Sequence, residues 1–299
     1  MFEKLLVPTD GSELAEVALP YAEELAGRLD SEVVLLHVSE PKDQIPEEAH
    51  RAYMNRLVET VRQAVEEYRK LAGISGSKEI RVQSVMLADK PAERIIDYAE
   101  TNNIGLIIMA THGRSGVGRW TIGSVADKVL RGSQVPVALI RAAGPQSLRR
   151  KGLLTKALLP LDGSKVGEAA LPYVEDLAAR LKTEVVLLQV VEPKYVAIGA
   201  EPWDYSPYRA EWLSAMEQSA RTYLTGIEKR LKDKGIAVSS RIESGPAADK
   251  VIQVAEQTNV DVIAMSTHGR SGLARWALGS VADKLIHSAS IPVILVRAR

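Results

Sequence analysis

The chain has 299 residues, 46% of them apolar, no cysteine, and 38 basic residues balanced by 38 acidic ones. Zero net charge leaves no global field to draw it to nucleic acid or an anionic membrane. The missing cysteine excludes disulfides, thiolate catalysis and Cys-ligated metals, and no run approaches the ~20 apolar residues that span a bilayer.

The length is enough for two cores of about 150 residues each. The N-terminus enters an apolar run at once, without the basic and long apolar regions of a signal peptide. The expected location is therefore the cytoplasm. In the first half, residues 5–7, 33–38, 80–86, 106–109 and 135–140 are short apolar runs that predict strands. Several are apolar at successive positions, as in strands buried on both faces. Between them, 14–29, 47–72, 92–102 and 125–131 carry apolar residues at helical spacing. The order β-α-β-α-β-α-β-α-β implies an open parallel sheet with helices on both faces.

Residues 142–156 read as a linker, broken by Gly144-Pro145 and carrying the basic triplet Arg149-Arg150-Lys151, which is expected to be solvated. Beyond it the same order returns, with strands predicted at 157–161, 185–190, 238–242, 262–265 and 293–296. The repetition extends to individual residues. Thr111-His112-Gly113-Arg114-Ser115-Gly116 recurs as Thr267-His268-Gly269-Arg270-Ser271-Gly272, and each is followed by Gly-Ser-Val-Ala-Asp-Lys, at 123–128 and 279–284. Val7-Pro8-Thr9-Asp10-Gly11-Ser12 is answered by Leu159-Pro160-Leu161-Asp162-Gly163-Ser164. A repeat this long means two copies of one domain rather than a solenoid unit. The expected domains are 1–141 and 157–299.

Asp10 matches Asp162 at an offset of 152, whereas His112 matches His268 at 156, so the second copy gains four residues between its second and fourth strands. Residues 194–212, rich in Pro, Tyr and Trp, are the expected place, as a loop over the site. The last predicted strand of each copy would expose an apolar edge, so 135–140 and 293–296 are expected to meet across a local two-fold axis.

In an open parallel sheet, ligands bind beyond the carboxyl ends of the strands. Pro8-Thr9-Asp10 and Ala110-Thr111-His112-Gly113 lie there in the first copy, with Gly123-Ser124 opening the last helix. A glycine followed by free helix-start amides suits an anion such as phosphate, and Gly113 and Gly116 let the loop fold around it. A turn and N-cap is the plainer reading of Gly-Ser; recurrence of the whole loop favours phosphate. Asp10 and Asp162 read either as turn residues or as acceptors for a ribose or adenine amine. His112 and His268 fix the loop by hydrogen bonds or act as general acids. Arg114, Arg119, Arg270 and Arg275 reach phosphate or form a solvated rim, and Trp120 and Trp276 pack the loop or the interface between copies. No Gly-Lys-Ser/Thr phosphate-loop pattern occurs.

On these residues the chain resembles a tandem universal stress protein nearly end to end. The family's ATP-binding members carry Gly-x-x-Gly, nine residues, then Gly-Ser or Gly-Thr. Here the pattern reads Ala110-x-x-Gly113, nine residues, Gly123-Ser124, and Ser266-x-x-Gly269, nine residues, Gly279-Ser280. The resemblance implies an adenine nucleotide alpha-hydrolase-like α/β fold, with two tandem open five-stranded parallel sheets paired through their last strands as a pseudo-dimer. It implies that Pro8, Thr9, Asp10 and Val38 frame adenosine, with the loop from Gly113 to Ser124 and Val125 on the phosphates. Pro160, Asp162, Val190, Ser266, His268, Gly269, Arg270, Gly272, Gly279, Ser280 and Val281 would form the second site. ATP is the expected ligand, with Mg or Mn carried on its phosphates. The partners left open are a further homodimer and an unidentified regulatory protein.

Two departures stand out. Ala110 and Ser266 replace the family's first glycine, and Leu161 replaces Thr9, which predicts tighter binding at the first site. The leading reading is a regulatory protein that holds ATP as a signal in a stress response. The alternative is a slow ATP hydrolase, or an enzyme that phosphorylates itself at Ser124 or Ser280. A structural module with relict loops is disfavoured because the loops are among the segments most alike.

Overall fold

The computed structural model describes residues 1–41, 45–74, 79–112, 122–141, 152–192, 206–269 and 278–298, with 206–210 described for their backbone alone. All ten predicted strands are present. The first copy contributes β1 (Lys4–Thr9), β2 (Glu32–Ser39), β3 (Val82–Ala88), β4 (Leu106–Ala110) and β5 (Val137–Ile140). The second contributes β6 (Lys156–Pro160), β7 (Glu184–Val191), β8 (Val238–Ser244), β9 (Val262–Ser266) and β10 (Val293–Val296). Within each copy neighbouring strands are parallel. The central strands are buried along both faces, β4 and β9 throughout, which explains their unbroken apolar runs.

The two sheets join into one of ten strands, ordered β3-β2-β1-β4-β5-β10-β9-β6-β7-β8. The junction is the expected one. β5 and β10 pair antiparallel, the direction a two-fold axis requires, and each covers the apolar edge the other would expose. Arginines add to the contact: Arg28 donates to Leu181 O at 2.5 Å and its counterpart Arg180 to Leu29 O at 2.6 Å. On one face of the sheet a single core runs through both copies, from Leu5 and Val7 to Leu159 and Val296, and a second core lies on the other face.

The helices of the first copy are α1 (Glu13–Glu16), α2 (Leu19–Leu29), α3 (Glu47–Leu71), α4 (Pro91–Thr101) and α5 (Ser124–Gly132). Those of the second are α6 (Leu171–Leu181), α7 (Ser206–Lys232), α8 (Ala247–Gln257) and α9 (Ser280–Ser288), with a 3₁₀ turn at Gly167–Ala170 before α6. The single helix expected over 14–29 is therefore two. Pro20, near the start of α2, has no N–H to bond back to the preceding turn, so the chain breaks there and restarts; Pro172 does the same before α6.

The four-residue gain lies in the crossover from the second to the third strand, and it is a net figure. The segment before the long helix lengthens from 40–46 to 192–205, whereas the connection after it shortens from 72–81 to 233–237. Residues 193–205, including Trp203 and Tyr205, lie outside the described residues, as do 142–151 of the expected linker.

Candidate functional site

In each copy the connections leave in opposite directions at one place, between β1 and β4 and between β6 and β9. That is the switch point at which such sheets open a crevice. In the second copy the crevice is a cleft of about 600 Å³, within the range of small-molecule sites.

The cleft is built from the strand ends outward. Pro160 ends β6, Leu161 and Asp162 follow it, and all three line one side. Asp162 Oδ1 accepts from the Ser164 N–H at 3.0 Å and hydroxyl at 2.7 Å, and Ser164 Oγ accepts from the Gly167 N–H at 3.0 Å. This turn seats the carboxylate between Gly167 and Gly269, where a Cβ on either glycine would strike it. Gly269 is required for that close approach. Val190 of β7 also lines the cleft, and on the other side Ser266 ends β9 and His268 and Gly269 follow it.

Gly279, Ser280 and Val281 complete that side. The Gly279 N–H donates to Thr267 O at 2.8 Å, tying the start of α9 to the end of β9. Gly279 is extended, with φ −63° and ψ 149°, and α9 begins without a side-chain cap. Its first amides and positive dipole end therefore face the cleft, an arrangement that favours an anion. The glycine is not there for a positive φ. A Cβ would come within 3.2 Å of Thr267 O, and within 3.0 Å of Thr111 O at Gly123.

His268 turns Nδ1 toward the Thr267 hydroxyl at 2.9 Å, and His112 toward Thr111 at 3.1 Å. These contacts match the loop-fixing role. Burial, and then the charge of Arg141, hold the His112 pKa below its ordinary value, so the ring is neutral near pH 7.

The first copy repeats the frame. Asp10 Oδ1 accepts from the Ser12 N–H at 3.0 Å and hydroxyl at 2.6 Å, Gly123 N donates to Thr111 O at 2.7 Å, and α5 likewise starts without a side-chain cap. Pro8, Thr9 and Asp10 end β1, Val38 lies near the end of β2, Ala110 ends β4, and Ser124 and Val125 open α5. Thr9 also has partners within the protein. Its hydroxyl is bonded to the Tyr53 hydroxyl at 3.2 Å and accepts from the Gly11 N–H at 3.1 Å, so it is engaged within the protein. Tyr53 in turn donates to Glu16 at 2.9 Å, and burial pushes its phenol up to about 12.

Gly113, Arg114, Gly116, Arg119, Trp120, Arg270, Gly272, Arg275 and Trp276 lie outside the described residues. Trp212, expected over the site as part of a loop, stands there on α7; sequence reasoning missed its neighbours on that wall, Met216 and Ser219, together with Glu192 and Ala247. Glu192 accepts from the Ala247 N–H at 2.6 Å, capping α8. Among the described residues no group of three His, Cys, Asp or Glu stands ready to hold a metal ion. Among the same residues no helix is long and apolar enough to cross a membrane.

A model of the Universal stress protein family matches residues 1–141 and again residues 154–297. The chain belongs to the universal stress protein family. This tandem universal stress protein is 26% identical to a universal stress protein of Mycolicibacterium smegmatis, over 99% of this chain and 97% of that one. A universal stress protein of Methanocaldococcus jannaschii is 30% identical over 47% of this chain and 83% of its own length, so it corresponds to one copy. Among solved structures, a universal stress protein of Archaeoglobus fulgidus is similar with a TM-score of 0.68 at 23% identity, covering 99% of both chains. That likeness is one of fold.

Proposed function

We propose that this universal stress protein is a nucleotide-binding regulator that holds ATP beyond the strand ends of each domain. The observation that carries this reading is the second-domain cleft. Nine residues singled out by the family motif or by their strand-end position line it: Pro160, Asp162, Val190, Ser266, His268, Gly269, Gly279, Ser280 and Val281. One end presents the uncapped start of α9 and suits phosphates; the other, with Leu161, Trp212 and Met216, is largely apolar and suits a base. Arg270 and Gly272 join the proposed site from the motif alone, as do Gly113, Arg114 and Gly116 in the first domain.

Occupancy, rather than turnover, is the proposed output. Rapid phosphoryl transfer needs a positioned nucleophile and charge-stabilising groups around the γ-phosphate. Among the described residues the cleft offers a cradle, with a neutral His112 at the equivalent place in the first domain. The test is mass spectrometry of small molecules released from the purified, denatured chain, followed by a turnover assay. Adenine nucleotide at one or two per chain, with hydrolysis far below about 1 s⁻¹, is expected. No adenine nucleotide, together with no ATP binding by calorimetry, refutes the proposal; sustained fast hydrolysis makes the protein an enzyme.

A further inference from the structure

The wall of the second cleft that the family motif does not supply comes from α7. Trp212, Met216 and Ser219 line the cleft at spacings of four and three residues, which put them on one face of the helix. α7 packs on β7 and β8 through the core containing Leu224, Ile227 and Leu231. α9 belongs to the core on the opposite face of the sheet, through Leu285 and Ile286. The start of α9 and the open face of α7 are thus two ends of one cleft. The ends of β9, β6 and β7 lie between them, and two strand spacings amount to roughly 10 Å. A nucleotide with its phosphates at Gly279 and Ser280 would extend along this cleft toward α7.

Trp212 is suited to meet that base. Its side chain is 44% exposed although it borders a cavity, whereas large aromatic side chains usually bury most of their area. The corresponding helix of the first domain is arranged differently. There His50 packs at a tilt of 50° against His37 with ring centroids 4.3 Å apart, both residues are buried, and Tyr53 is hydrogen-bonded to Thr9 and Glu16. α3 thus brings buried His50 and hydrogen-bonded Tyr53 to the strand ends. α7 leaves an indole open to the cleft.

We propose that Trp212 stacks on the nucleobase in the second cleft, with Met216 beside it, and gives that site a preference for a purine over a smaller pyrimidine. The inference rests on the nucleotide reading of the cleft. Stacking strength grows with the area of overlapping ring, and the larger purine gains more from an indole than a cytosine does.

The test titrates the full chain with ATP and with CTP by calorimetry, comparing the parent with Trp212→Ala and Trp212→Phe. Trp212→Ala is expected to weaken ATP at one of the two sites by about three- to tenfold. It should weaken CTP less, narrowing the preference, while Trp212→Phe recovers most of the ATP affinity. Because Trp212 is half-exposed, the thermal unfolding midpoint should stay within a few degrees of the parent's. An unchanged ATP isotherm, equal losses for ATP and CTP, or a Phe variant as weak as the Ala variant each overturn the role given to Trp212. A parent chain that takes up neither nucleotide instead refutes the nucleotide reading, and this inference with it.

Discussion

Ala138 lies directly opposite Ile294 where β5 runs antiparallel to β10. The two hold the same place in the two copies, 156 residues apart like His112 and His268. A residue paired with its own counterpart marks the local two-fold axis. The flanking pairs obey it: Val137 faces Leu295 and Leu139 faces Val293. At the axis a small side chain meets a large one, and both are buried. Ile294→Ala would leave methyl-sized neighbours on both sides with nothing to fill the space, and should cost about 2–4 kcal/mol. Urea denaturation measures it; an unchanged midpoint would mean that the axis is loosely packed.

Arg141 and Arg297 occupy matching positions after these strands, and each crosses the axis. Arg141 donates to Ile286 O at 2.7 Å and His287 O at 3.0 Å, at the end of α9. Arg297 donates to Arg131 O at 3.0 Å and Ser133 O at 3.5 Å, at the end of α5. A cation there satisfies terminal carbonyls and the negative dipole end. Arg141→Ala should destabilise by about 1–2 kcal/mol and Arg297→Ala by less, because its contacts are longer. The same Arg141→Ala change should raise the His112 pKa part of the way to its ordinary value. Burial, the larger cause, would remain. Urea midpoints and an NMR titration of His112 read the two effects, and a His112 pKa that stays put would remove Arg141 from its environment.

The fold was legible wherever one residue type decides a local outcome. β4 and β9 announced themselves because strands covered on both faces are apolar at every position, and the Gly279-Ser280 step because the whole loop before it recurs from the first copy. The break before α2 was also written in Pro20, but the apolar spacing of 14–29 ran through it and masked it. What stayed hidden depends on distant partners. Nothing near Thr9 in sequence says that Tyr53, 44 residues on, engages its hydroxyl. Trp212 was placed over the site but grouped with a loop, because the segment before it has no helical pattern; its seat on α7 could not be read.

Gly279→Val should abolish nucleotide binding at the second site, and Gly123→Val at the first, each leaving the other site intact. The reason is close approach rather than backbone conformation, since both glycines are extended and Val adopts that conformation readily. A Cβ would press on the Thr267 or Thr111 carbonyl, and the γ-methyls would fill the space before the first helical amides. Calorimetric stoichiometry should fall by one site in each variant. Full stoichiometry in both would place the nucleotide elsewhere.

Leu161→Thr should leave the affinity of the second site within about twofold. The sequence comparison predicted a gain, on the ground that Thr9 offers a ligand contact that Leu161 lacks. In the structure Thr9 is 6% exposed and its hydroxyl bonds Tyr53 and Gly11, while Leu161 is 4% exposed among apolar neighbours. A threonine at 161 would bury a hydroxyl and lose packing, costing about a degree or two of stability for no new ligand contact. ATP titration of the variant decides it, and a several-fold tighter second site would restore the original expectation.

Glu23, on α2, gives the fold a pH dependence. Burial, followed by repulsion from Glu67, raises its pKa from 4.5 to about 7. The folded state therefore keeps a proton on Glu23 that the unfolded chain has already released above pH 4.5. The chain that binds fewer protons gains as pH rises, so this group costs nothing at pH 4 and progressively destabilises the fold until about pH 7. Glu67 is the other charge involved, and its repulsion grows as Glu23 ionises. Glu23→Gln keeps the shape and removes the charge. It should leave stability at pH 4 nearly unchanged and raise it by roughly 1–3 kcal/mol at pH 8. Urea midpoints across that range provide the measurement, and a gain that is equal at pH 4 and pH 8 would show that the effect is packing rather than ionisation.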